Sequence, residues 1–96
     1  MSKVLAHEEI VVDGGVKQLT QAIYNPPEGE SAVYAIIHAE GGKMRFFVNG
    51  QNPSQSSGAL LEDGDVLELL SIYHINDFRV VKALTDPGKL TVTYEI

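Results

Sequence analysis

The sequence predicts an all-β fold: one small antiparallel β-sandwich, jelly-roll-like or immunoglobulin-like, with about seven to eight strands. Three observations carry that reading. Apolar residues recur with a period of two or in short β-branched runs, and no window keeps the i, i+3, i+4, i+7 spacing over three helical turns. Turn-forming clusters of Gly, Asn, Asp and Pro punctuate the chain about every ten residues. The alternation of strand and helix that builds parallel sheets is missing. A chain of 96 residues has interior for a single core. Residues 8–96 therefore read as one domain and residues 1–7 as an N-terminal arm, with helices absent or one turn long.

Taken in order, the first run, Glu8-Glu9-Ile10-Val11-Val12, stops at Asp13-Gly14-Gly15, where glycine would supply the positive φ angles of a tight hairpin. Val16-Lys17-Gln18-Leu19-Thr20 is expected to return beside it. Tyr24-Asn25-Pro26-Pro27-Glu28-Gly29-Glu30 cannot be a central strand, because two prolines remove ladder donors, so it reads as an exposed connection. Ser31 to Glu40 is the longest β-prone stretch. It places Val33, Ala35, Ile37 and Ala39 on one face and Tyr34, Ile36 and His38 on the other, apolar enough on both sides for a central strand.

Gly41-Gly42 turns the chain into Lys43-Met44-Arg45-Phe46-Phe47-Val48. The adjacent phenylalanines fall on opposite faces, so one fills the core and the other lies on a surface or under a loop. Asn49-Gly50 ends that strand, and residues 51–58 read as a polar loop. Glu62-Asp63-Gly64-Asp65 is a turn that needs glycine for its backbone, with a strand, Val66-Leu67-Glu68-Leu69-Leu70, directly after it. Residues 71–77 read as a strand end followed by a bend. Phe78 to Ala83 resumes β structure and Asp86-Pro87-Gly88 turns. Leu90, Val92, Tyr94 and Ile96 then share one face of a strand that runs to the last residue.

Composition narrows the function classes. Thirteen acidic against seven basic side chains give a net charge of −6, which repels a phosphate backbone, so no nucleic-acid partner is expected. No apolar stretch reaches membrane-span length, and acidic residues interrupt the short apolar patch after Met1, so no membrane partner is expected and the protein reads as made in the cytoplasm. With no cysteine, neither disulfides nor thiolate metal sites support the fold.

Chemistry is expected to be absent. His7, His38 and His74 lie far apart and none belongs to a pair at metal-ligand spacing. Ser54, Ser56 and Ser57 sit in a polar loop without a local base, and the carboxylates of Glu62, Asp63, Asp65 and Glu68 read as hydrated turn and strand-face groups rather than an acid/base pair. His38 reads as a half-buried histidine with one hydrogen-bond partner, the alternative being a pH-sensitive contact. These readings point to a binding surface, with no catalytic, metal or cofactor residues.

Residues 44–69 nevertheless carry an ordered pattern: an arginine-aromatic strand, an Asn-Gly turn, an Asn-Pro-Ser loop, and Gly58-Ala59-Leu60-Leu61 leading to the Gly64-Asp65 turn. This resembles small virion structural proteins of tailed bacteriophages, and residues 75–83 are similar to the strand that follows in such proteins. Glu62-Asp63-Gly64-Asp65-Val66 also resembles the turn before a strand in cupin jelly rolls, without the histidine cluster that gives cupins their metal. The phage resemblance implies a capsid decoration, cementing or head accessory protein that binds a repeated protein lattice in the virion, itself a possible homo-oligomer. The candidate contacts are exposed segments that no core requires. They are Lys3 and Leu5 in the arm, Tyr24, Asn25, Pro26 and Pro27 in the connection, and Gln51, Asn52, Pro53, Ser54 and Gln55 in the loop. The stretch from Asn49 to Ser54 also looks like part of some carbohydrate-associated sandwich modules, so a carbohydrate or cell-surface binding module is the alternative, with a protein adaptor or subunit as the third reading.

Overall fold

Eight of the β-prone runs become strands in the computed structural model, which describes residues 3–96 and leaves Met1 and Ser2 of the expected arm outside the described residues. They are β1 (Val4–Val12), β2 (Lys17–Gln18), β3 (Tyr34–Gly41), β4 (Met44–Phe47), β5 (Ala59–Leu61), β6 (Val66–Leu69), β7 (Arg79–Lys82) and β8 (Gly88–Glu95). Two short helices, α1 (Gln21–Tyr24) and α2 (Ile72–Asp77), interrupt the connections.

The strands form two four-stranded sheets, one ordered β1-β8-β3-β6 and the other β2-β7-β4-β5, with every pairing antiparallel. First pairs with last, second with seventh, third with sixth and fourth with fifth. This is the order of a ribbon of paired strands rolled once, the jelly roll. Every connection except β4–β5 therefore crosses from one sheet to the other.

The core lies between the sheets. Period-two alternation turns Leu90, Val92 and Tyr94 inward from β8 and Ala35, Ile37 and Ala39 inward from β3, all buried. Val12, Met44, Leu61, Leu69, Val80 and Phe78 meet them. Gly88 is buried where β8 crosses the second sheet, and a Cβ there would lie 2.5 Å from Met44 Sδ. The turn at Gly64 needs glycine as expected, with φ of 89°.

One carboxylate sits on the core side. The β1–β8 register sets Ala6, Glu8, Ile10 and Val12 opposite Tyr94, Val92, Leu90 and Gly88. Glu8 accepts the Tyr94 hydroxyl at 2.5 Å, and the Thr20 hydroxyl and N–H at 2.7 and 3.1 Å. Tyr24 packs on Tyr94 with ring centroids 5.8 Å apart and donates its hydroxyl to Asn76 Oδ1 at 3.0 Å. A single network thus ties β1, β8, α1 and α2 together.

Several expectations are corrected. Asp13 to Gly15 does not close a hairpin: β1 pairs with β8, β2 with β7, and neither Gly14 nor Gly15 takes a positive φ. The long β1 finds in β8 a partner for nearly its whole length, which the two residues of β2 cannot offer. The arm is not free, because residues 4–7 are the first half of β1, and Lys3 exchanges backbone hydrogen bonds with Ile96 at 3.1 and 2.8 Å. Residues 72–77 are helical rather than bent. The Ser71 hydroxyl accepts the His74 N–H at 3.2 Å, and Ile72 and Ile75, three apart, turn toward the core. His38 is exposed on the outer face of β3. Val33 is also exposed, preceding the strand whose inner face it was expected to share. Phe46 packs on the core against Phe78, while Phe47 is half-buried on the outward face.

Ile37→Ala should therefore cost about 3 kcal/mol of folding free energy in chemical denaturation, and Phe47→Ala less than half as much. Equal losses would place both side chains in the core. A pH effect follows as well. Burial first, and then the hydrogen bond and charge of Glu8, push the Tyr94 phenol above its usual value of 10.0. Burial followed by Asp77 and Glu8 raises Tyr24. A folded chain that keeps protons which the unfolded chain releases has its full stability below pH ~10 and loses it as pH climbs further. Tyr94→Phe should flatten that alkaline loss in denaturation curves, and an unchanged slope would assign the loss to other groups.

Candidate functional site

Because neighbouring strands run antiparallel, the connections fall alternately at two ends. The turn end carries β1–β2, β3–β4, β5–β6 and β7–β8. Two of its acidic residues serve the backbone: Asp63 accepts the Gly41 N–H at 2.9 Å and Asp65 the Glu62 N–H at 2.8 Å. The carboxylates of Asp63 and Asp65 therefore act as turn-closing acceptors. Among the described residues, no group of three or more His, Cys, Asp and Glu is placed to hold a metal, no helix is long and apolar enough to cross a membrane, and no cavity opens.

The other end, the loop end, gathers the start of β1, the β2–β3 connection with α1, the β4–β5 loop, the β6–β7 connection with α2, and the end of β8. All three segments expected to make contacts lie at this end, where hydrogen bonds tie the chain beside them to α2 and to the end of β8. Tyr24 reaches Asn76, the Gly50 N–H reaches Asp77 O at 3.1 Å, and the Val33 N–H reaches Glu95 O at 2.9 Å.

Two arginines hold the β4–β5 loop, which has no charged residue of its own between residues 48 and 58. Arg45 donates from Nε to Gln55 O at 3.0 Å and from a terminal guanidinium nitrogen to Gly58 O at 2.8 Å. Arg79 Nε donates to Gly50 O at 3.1 Å. Gly50, at φ 82°, makes the turn after β4. At the tip, Ser54 and Ser57 exchange backbone hydrogen bonds. The resemblance pattern of residues 44–69 is thus largely a folding unit in which the arginine on the strand pins the loop that follows it.

Within this end the candidates separate. Asn25, Pro27, Gln51, Asn52, Ser54 and Gln55 are exposed, as is Lys3 at the chain start, while Pro26 is half-buried. Tyr24 is 4% exposed, so it is a core residue and not a contact. Its helical turn points the ring inward, so it does not share the exposure expected of the connection from residue 24 to 30. Pro53 is buried, with its Cβ against Gly58, and helps fold the loop back on itself. Leu5 packs against the core from β1.

The sequence reading missed the apolar side chains that the loop end exposes. Tyr73 is 77% exposed on α2 and Leu70, just before it, 68%; Val4 and Val33 flank the end of β8. The signal was present in Ser71 as an N-cap with Ile72 and Ile75 at helical spacing, which turns Tyr73 outward. Compared with protein-family models, with curated proteins and with solved structures, the chain has no match.

Arg45→Ala should free the loop while leaving the core intact, because hydrogen bonds to a charged donor contribute about 1.5–3 kcal/mol. Amide exchange at Ser54 and Ser57 should quicken while Ile37 and Val92 keep their protection. Unaltered exchange at the loop tip would mean that the loop supports itself.

Proposed function

We propose that this domain is a virion structural protein of a tailed bacteriophage, a capsid decoration, cementing or head accessory protein that docks through its loop end onto a repeated protein lattice. The observation that carries the reading is the convergence, at one end of the jelly roll, of hydrogen-bonded loops with the exposed Tyr73, Leu70, Val33 and Val4. Exposed aromatic and aliphatic anchors within a polar rim are the composition of a protein interface. The resemblance of residues 44–69 supplies the phage class, and viral capsid domains are among the uses of the jelly roll.

The mechanism is mass action. A protein that binds only assembled shell stabilises it by RT ln(1 + [L]/Kd) per site, ~2.7 kcal/mol at a hundredfold excess over Kd. Ordered loops strengthen this, since little conformational entropy remains to be lost on docking. Tyr73 also meets the requirement of a sugar-binding module for an exposed aromatic platform, so the carbohydrate reading remains the second one.

Co-sedimentation with shells that lack the protein, beside a panel of glycans, tests both. Saturable pelleting with shells alone is expected, at a stoichiometry set by lattice symmetry. Tyr73→Ala should weaken it roughly tenfold, the loss of about 1–2 kcal/mol typical of an interface anchor, without lowering Tm. Substitutions at Gln55 or Glu28 should spare folding and reveal whether the flanking loops share the contact. Pelleting with glycans alone would replace the lattice reading with the sugar-binding one.

A further inference from the structure

The two sheets carry opposite charge. The strands of the first sheet hold Glu8, Glu9, Glu40, Glu68 and Glu95 against one cation, Lys89. The strands of the second hold Lys17, Arg45, Arg79 and Lys82 and no acid at all.

Register decides which of these charges face outward. In the first sheet Glu8 is turned to the core side and engaged with Tyr94 and Thr20. Glu9, Glu40, Glu68 and Glu95 lie on the outer face, in rows set by Thr91, Lys89, Thr93 and the other partners of β8 and β3. Lys89 is shared there between Glu9 and Glu40, at 3.4 Å from each. Glu68 and Glu95 have no cation within ion-pair distance among the described residues.

In the second sheet Met44 and Val80 point inward together with their register partners Lys82 and Lys17, so Arg45 and Arg79 are the cations that face out, beside Leu60, Val81, Phe47 and Gln18. Their hydrogen bonds go to neutral carbonyls of an uncharged loop, and among the described residues neither guanidinium has a carboxylate within ion-pair distance.

From this segregation we infer that copies of the chain associate face to face, the glutamate-bearing outer face of the first sheet docking on the arginine-bearing outer face of the second sheet of the next copy. Complementary potentials bring the two faces together, and like faces repel, which disfavours a two-fold dimer through either sheet. The two faces lie on opposite sides of the sandwich and cannot satisfy each other within one copy. Each docking therefore leaves one free face of each sign, so association propagates head to tail into a ring or an open stack. This surface lies on the sheet faces, meets the loop end at Glu95 beside Val4 and Val33, and does not rest on the lattice reading.

Sedimentation velocity of the full chain tests it, at ~0.01 M salt, where the Debye length is ~30 Å, and at ~1 M, where it is ~3 Å. Concentration-dependent growth beyond the dimer at low salt, dispersed at high salt, is expected. Glu68→Lys with Glu95→Lys should abolish growth, as should Gln18→Glu with Leu60→Glu beside the two arginines, with circular dichroism showing both variants folded. Mixing the two should restore association, because each retains a face complementary to the other. A monomer at low salt, a closed dimer indifferent to salt, or variants that associate like the parent would overturn the inference. So would a monomeric parent whose charge reversals abolish pelleting with shells, since the faces would then belong to the shell. Loss of shell binding in Tyr73→Ala with self-association intact would separate the two surfaces.

Discussion

The fold depends on its last strand. β8 is paired on both edges, with β1 from Glu95 back to Gly88 and with β3 over the same residues. Its inward face supplies Leu90, Val92 and Tyr94, all fully buried. The middle of the first sheet is thus made by the end of the chain, and β1 has no strand partner until β8 arrives. Such pairings join residues nearly a chain length apart and close large loops, so folding is dominated by non-local contacts. Tyr94 extends the dependence beyond the sheet: through Glu8 it fixes Thr20, where α1 begins, and through Tyr24 it reaches α2.

That geometry explains what could be read from the sequence and what could not. The strands were legible because alternation is a local property: Ala35, Ile37 and Ala39 face one way whatever lies beside them. Both apolar faces of Tyr34 to Ala39 correctly announced an interior strand. Pairing was not legible. Glycines after Val12 look like a hairpin turn, but a turn reverses the chain within one sheet only if the returning strand has more to gain there than elsewhere. Here β8 offered β1 the longer partner. The same limit hid Tyr24, whose neighbours Asn25, Pro26 and Pro27 advertise a loop while its own ring lies under Tyr94. Tyr73 failed for another reason: six residues of helix are too few for periodicity to outweigh a β-rich context, and only the Ser71 cap distinguishes them.

The loop end shows how a small domain makes loops rigid without disulfides or a large core. Backbone carbonyls of the β4–β5 loop meet guanidinium groups projecting from the sheet, so a surface segment gains the fixed geometry of the strands beneath it. Asp77 and Asn76 then bind the loops to one another. A loop held in this way can carry polar side chains such as Gln51 and Gln55 at defined positions, which favours recognition of a partner that is itself ordered.

Burial also explains why charge could segregate between the sheets. Inward positions are taken by apolar side chains, by Glu8 and, in β2 and β7, by Lys17 and Lys82, so the other charged strand residues face outward. Nothing in the core requires outward charges of one sign on each side. A mixed pattern would serve solubility equally well and would avoid a field across the molecule. The strands of the second sheet instead contain no acid, although acids outnumber bases almost two to one in the chain, and the uncharged loop beside them adds none. Two faces of opposite sign on a domain with its apolar anchors at one end give three directional surfaces, enough to fix both how a copy would sit on a partner and how it would meet its neighbours.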